Sequence, residues 1–268
     1  MQIASKQCLW AESGTGTVVE VEMTPTSGLY ICFRTNAKTN QDVEVSWGDG
    51  TKSMAVYTTN DIVLEHTYPT YGKYKLVFKG IRSIGFRNLD GHPAYAYDAA
   101  ITSLVDYAGQ LEGSRSAAFQ RAVNLKRFIA PNCSWMGQRD FADCSHLEEM
   151  VLGNCGIYYD GTVQNCPKLT KFTTGRSWTC WSYVWMGCTS LTELKLGDVN
   201  QFATQDFANT PNLKDIWIAN KTVDQIKQVA STGNIVAGYG ARFPWNACSD
   251  CRFHGTDGIV LGNGTRIA

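Results

Sequence analysis

Several residues in this sequence have types and spacings that can do chemistry. Cys248-Ser-Asp-Cys251, followed by His254, has the spacing of half a zinc site. A structural zinc needs four ligands, and the chain contains no second C-x-x-C, so a local disulfide or two free thiols compete with that reading. Cys144, Cys166 and Cys188 recur every 22 residues, and Cys133 and Cys155 form a second pair at the same interval. Residues 177–188, SWTCWSYVWMGC, hold three tryptophans, a tyrosine and two cysteines. That composition suits a metal site, a cofactor pocket, a contact patch or plain core. Glu149 and Glu193 could be paired carboxylates, but Lys171 falls between them in the repeat and would hold both ionised. Asp49 and His66 could be an acid–base pair. A turn aspartate that bonds its own backbone is the simpler account.

Several function classes are excluded at this level. No phosphate loop is present: the glycines near 237–240 lack the Lys-Ser/Thr partner. There is no G-x-S-x-G elbow. The four histidines, His66, His92, His146 and His254, are scattered. Charges balance at 24 basic and 24 acidic residues, so nothing points to nucleic acid. No apolar run is long enough for a membrane-spanning helix, and MQIASKQCLWAESGTG lacks the apolar segment of a signal peptide. No cofactor is implied, and the sequence reads as a non-enzyme.

A repeat must position the cysteines and aromatics. Residues 123–144, 145–166, 167–188 and 189–210 align without gaps, a partial unit starts at Pro211, and a unit one residue shorter precedes them. Position three is Leu125, Leu147, Leu169, Leu191 and Leu213. Position six is Phe128, Met150, Phe172, Leu194 and Ile216. Position fourteen is Met136, Tyr158, Cys180 and Phe202; position nineteen is Phe141, Val163, Trp185 and Phe207. The last position is Cys144, Cys166, Cys188 and Thr210, with Ala122 before them, which suits a small buried side chain better than a ligand. A fixed apolar register at this period predicts a solenoid whose units bury their faces on one another.

The residues before the repeat alternate apolar and polar over 17–34 and 42–47, with further strand-like runs at 53–58, 62–66 and 68–80 and no helical pattern. They predict a small β-sandwich. VSWGDGT at 45–51, followed by LEHTYPTYGKYKLVF at 64–78, resembles a PKD-type immunoglobulin-like domain. The resemblance implies structural roles: Trp47 in the core, Asp49 and Gly50 in the turn, and Tyr74 packing. The repeat resembles the BspA-like leucine-rich repeat over about residues 101–220, in its L-x-x-[apolar] start and [F/V/W]-x-x-C end. Together these resemblances imply a binding protein of a bacterial surface or a phage particle.

The resulting expectation is a mainly β chain: an N-terminal segment at 1–14, a PKD-like sandwich at 15–82, a leucine-rich-repeat solenoid at 83–220 and a capping region at 221–268. In the cap, Thr222 opens a helix over 222–231 with Ile226 and Val229 inward, two short strands surround LGNGT, and Phe243, Pro244 and Trp245 plug the core. Position five (Arg127, Glu149, Lys171, Glu193, Asp215) should form a charge ladder on the outer sheet face. Trp135, Tyr159, Trp178, Trp181 and Tyr183 fall between core positions and are the candidate ligand-binding residues. A satellite core under neighbouring turns is the competing account. The expected partner is a protein or glycan at a cell surface, contacted by the repeat face without membrane insertion. A structural spacer and a glycan-targeting accessory of a separate enzyme are the alternatives.

Overall fold

The computed structural model describes residues 16–86, 99–114, 117–176, 179–180, 183–200, 202, 206–231 and 248–268. Alternating apolar residues build the N-terminal strands. These are β1 (Thr17–Met23), β2 (Tyr30–Ala37), β3 (Val43–Ser46), β4 (Lys52–Ala55), β5 (Ile62–Thr67), β6 (Gly72–Lys79) and β7 (Ile81–Phe86). They fall into two antiparallel sets, β1-β6-β3-β4 and β5-β2-β7, whose inner faces meet in one core. Phe33 from one set packs edge-on against Phe78 of the other, with ring centres 5.1 Å apart.

The repeat then supplies a row of parallel strands. These are β8 (Ile101–Asp106), β10 (Arg127–Ala130), β11 (Glu149–Leu152), β13 (Lys171–Thr173), β15 (Glu193–Leu196), β16 (Asp215–Ile218) and β17 (Arg252–His254). The antiparallel strand β18 (Ile259–Leu261) closes the row. Strand β1 pairs with β8 on its free edge, so a single sheet of 12 strands runs from β4 to β18. On the second limb, β9 (Gly113–Ser114) pairs with β7, Trp135 bridges Gly113, and β12 (Ile157–Tyr158) pairs with β14 (Thr179–Cys180). Both walls of the solenoid therefore grow out of the two N-terminal sheets.

The register places the repeat side chains as the sequence implies. Leu125, Leu147, Leu169, Leu191 and Leu213 are buried, as are Phe128, Met150, Phe172, Met136, Tyr158, Cys180, Phe141, Trp185 and Phe207. Trp185 meets Phe172 edge-on within its own turn, stacks on Phe207 of the next and lies against Tyr158 of the one before, linking three successive turns. The ladder thiols donate to the preceding turn: Cys144 Sγ to Phe119 O at 3.1 Å, Cys166 to Phe141 O at 3.1 Å, and Cys188 to Val163 O at 3.2 Å. Burial lifts the Cys166 and Cys188 thiols well above the usual range, which suits inert packing.

Two columns of left-handed backbone turn the chain. Arg121, Asp143, Asn165, Gly187 and Asn209 form one, directly before the ladder position, and Ala117, Arg139, Gly161 and Tyr183 form the other. Asn, Asp and Gly suit that conformation because a short side chain or none avoids the clash of Cβ with the backbone.

At the C-terminus, helix α1 (Val223–Ser231) starts with a capping box. Thr222 Oγ1 accepts from Gln225 N, and Gln225 Oε1 accepts from Thr222 N. Ile226 is buried as expected; the side chain of Val229 and residues Phe243, Pro244 and Trp245 lie outside the described residues. The two C-terminal strands are joined by Gly255–Gly258 rather than by LGNGT. LGNGT instead folds the tail back, so that Arg266 bridges Val260 and the last residues cover the edge of β18.

Candidate functional site

The five candidate aromatics have different fates. Trp135 is half-buried, and its indole lies flat over Gly113 of the adjoining strand. A Cβ built on Gly113 would sit 2.0 Å from the ring, so only glycine fits beneath it. Trp135 is thus largely a packing residue of the second limb. Tyr159 is 40% exposed, and its carbonyl accepts from the Thr162 amide and hydroxyl, which fixes the turn that presents it. Tyr183 is half-buried and opens the next turn with φ of +68°. Trp178 and Trp181 lie outside the described residues.

Behind this limb the interior contains buried polar groups. Asp140 is fully buried and accepts from the Ser114 hydroxyl and from the amides of Gly137 and Ala118. Burial outweighs these three donors and lifts its carboxyl to about 7. Asp206, at the same repeat position three turns further along the solenoid, accepts from Val184 N at 2.9 Å and is also buried.

The outer sheet face carries the charge ladder. The register joins Lys75, Glu20, Ser103, Arg127, Glu149, Lys171, Glu193, Asp215 and Arg252 in one row across nine strands. Arg127 meets Glu149 at 3.0 Å, and Lys171 meets the same carboxylate at 4.0 Å. The sign alternation breaks where Glu193 faces Asp215, and each acid there takes its own cation. Glu193 pairs with Lys195 at 3.0 Å, and Asp215 accepts from Nε and Nη2 of Arg252. The Arg252 bonds hold the Asp215 carboxyl below the usual range against partial burial, with His254 adding to them. Glu149 and Glu193 are therefore separate ion-pair members with Lys171 between them.

Trp217, at position seven on this face, was not among the candidate residues. It is 44% exposed, and its ring stacks on His254 at 3.7 Å. His254 Nε2 in turn lies 2.6 Å from Asp215. The signal was present in the register, since positions five and seven both face outward. Cys248 and Cys251 are joined in a disulfide. With both thiols in that bond and His254 on Asp215, the zinc reading of these three residues loses its ligands. Among the described residues no group of three or more metal-ligating side chains converges.

In the N-terminal sheets, Asp49 Oδ1 accepts from the amide and hydroxyl of Thr51 as a turn aspartate should, while Oδ2 meets His66 Nε2 at 2.7 Å. His66 is sandwiched by aromatics, stacked on Trp47 and edge-on to Tyr68, and the Tyr68 hydroxyl donates to Trp47 O. Tyr74 stacks on Tyr68. The cluster locks the turn to the core, with both carboxylate oxygens of Asp49 engaged.

The repeat segment matches one family model. Residues 108–234 fit the model of the BspA type leucine rich repeat region, in six copies. No curated protein matches the chain. Among solved structures, the crystal structure of the pneumococcal vaccine antigen PcpA is 20% identical over 45% of this chain, with a TM-score of 0.39. The match spans 31% of that protein's length, and a likeness so slight has no bearing on function. No helix among the described residues is long and apolar enough to cross a membrane.

Proposed function

We propose that this chain is a non-enzymatic recognition protein of a bacterial or particle surface that engages a protein or glycan through its repeat solenoid. The N-terminal sheets, read as a PKD-like domain, act as the stem. The observation that carries this reading is Tyr183. Its left-handed conformation recurs at the same register position in Ala117, Arg139 and Gly161. For a residue with a Cβ that conformation costs about 1–2 kcal/mol, and folding alone would favour the glycine that stands one turn earlier. An aromatic kept at a strained position next to exposed Tyr159 suits contact with a partner. Trp178 and Trp181 fall in the same stretch of sequence and extend the proposed contact set.

The experiment is a Tyr183→Gly variant, tested on a glycan array and against surface-protein extracts of a host. Binding should fall while the thermal midpoint holds or rises. A midpoint that drops as far as a core truncation would assign Tyr183 to packing and favour the spacer reading, which Trp135 lying flat over Gly113 already supports locally.

A further inference from the structure

Where the antiparallel N-terminal strands give way to the parallel row, the outer face opens into a shallow groove of about 420 Å³. Its floor is the irregular pairing of β1 with β8, whose register slips between Glu20 and Val21. Four cations and two carboxylates line it. Two of the cations are already engaged: Lys73 with Glu22 at 3.9 Å, and Arg127 with Glu149 at 3.0 Å. Lys75 and Lys126 are exposed and have no ion-pair partner among the described residues. Glu20 lies next to Lys75 in register without forming a close pair, and Ser103 continues the row toward Arg127.

From this arrangement we infer a binding site for an acidic oligosaccharide, a chain of carboxylated sugars, in the groove between β6 and β10. The reasoning combines charge and hydrogen-bonding capacity. Lys75 and Lys126 supply uncommitted positive charge for sugar carboxylates. Glu20 and Glu22 accept hydrogen bonds, which sugar hydroxyls donate in series along a chain. An acidic peptide would bring the same negative charge against these two carboxylates without that row of hydroxyl donors. The length also fits: from Lys75 to Arg127 is three strand steps, or ~14 Å, about the reach of a trisaccharide. The site rests on the recognition reading above, but it lies on the opposite limb from Tyr159 and Tyr183 and uses none of the aromatic contacts.

The test is calorimetric titration of the intact chain with a short oligogalacturonate, with a neutral dextran oligomer and a polyglutamate peptide of similar length as controls. The oligogalacturonate should bind, weaken as salt rises, and lose about tenfold or more in affinity in a Lys75→Glu/Lys126→Glu variant. Both lysines are exposed, so the variant should keep the wild-type melting curve, and a Lys75→Gln/Lys126→Gln variant gives the milder loss expected from neutralisation alone. Equal binding of dextran, binding of polyglutamate as tight as the uronate, or an unchanged affinity in the lysine variants would each overturn the site. Loss of uronate binding in Tyr183→Gly with the lysine variants silent would overturn the groove and leave the recognition reading standing. No uronate binding, with Tyr183→Gly still lowering capture of some other ligand, would do the same.

Discussion

The N-terminal sheets and the solenoid each bury a tryptophan and hold an aspartate, half-buried in the sheets and fully buried in the solenoid, and they satisfy these groups in opposite ways. In the sheets, Trp47 donates its indole N–H to Ser53 at 2.9 Å, and Asp49 is ringed by Thr51 donors and His66. Partial burial works to raise the Asp49 carboxyl, but those bonds and the His66 charge prevail and hold it at about 2. In the solenoid, among the described residues, the Trp185 indole N–H has no hydrogen-bond partner and the donors to Asp140 are neutral. A domain with unrepeated loops can devote a specific network to one turn. A repeat has to fit each side chain between copies of nearly the same turn, so its polar groups take whatever backbone donors the stacking supplies.

The largest effect should come from the solenoid tryptophan. Trp185 bridges turns through Tyr158 and Phe207, so Trp185→Ala should cost about 3–5 kcal/mol in denaturant unfolding. Trp185→Phe keeps a ring and deletes the unmet N–H, so it should cost much less. Trp47→Phe should cost more than Trp185→Phe, because it also removes a bond that Ser53 accepts. If the order of the two phenylalanine variants is reversed, the contrast in how the regions satisfy their polar groups is wrong.

Next come the carboxyls, whose pH windows run in opposite directions. Asp140 holds a proton in the folded chain up to about 7, while in the unfolded chain it releases it near pH 4. Its contribution to stability is complete below about pH 4 and is lost as pH rises toward 7. Asp49 is held at about 2, so its contribution is present above about pH 4 and is lost as pH falls toward 2. Melting curves of the wild type, Asp140→Asn and Asp49→Asn from acid to neutral pH check both signs. Asp140→Asn should flatten the decline above pH 4, and Asp49→Asn should flatten the decline below it. A wild-type stability that rises steadily toward neutrality with no change in Asp140→Asn would break the contrast.

Much of this was legible in the sequence because the repeat makes it so. The Leu, Phe and Cys columns define the interior without reference to any partner strand, and the W-G-D-G-T, H-x-Y and G-x-Y strings locate the N-terminal lock. What stayed hidden depends on how separate segments meet. Nothing local in Thr17–Met23 announces that β1 pairs with β8 and merges two sheets into one. The Lys75–Lys126 groove exists only because of that merger. The flat seat of Trp135 depends on a glycine 22 residues earlier, visible only once Gly113 and Trp135 are adjacent. The two left-handed columns could have been read from the Asp143, Asn165, Gly187 and Asn209 series, but Tyr183 in the other column breaks its chemical pattern.

A smaller effect is expected from the thiol ladder. Cys166→Ala removes one S–H donor to Phe141 O and a small volume, and should cost about 0.5–1.5 kcal/mol by chemical denaturation. Cys166→Ser should fall in the same range, since the hydroxyl can reach the same carbonyl. A much larger loss in either variant, or protection by an oxidant, would mean that the ladder thiols do more than pack.

The smallest effect tests whether the outer face behaves like the interior it covers. Glu149 sits between Arg127 at 3.0 Å and Lys171 at 4.0 Å, but the three side chains keep 23%, 39% and 63% of their exposure. Water screens such pairs, and holding long side chains in one geometry costs entropy, so Glu149→Gln should lower stability by ~0.2–1 kcal/mol. Raising the salt concentration to about 1 M, where the Debye length shrinks to about 3 Å, should erase most of that difference. Asp49, with side-chain exposure of only 9%, should keep most of its contribution under the same salt. If Glu149 proved as salt-resistant as Asp49, the row that crosses nine strands would be a rigid network on a par with the N-terminal lock, and the charge ladder would belong to the architecture of the sheet rather than to its solvated surface.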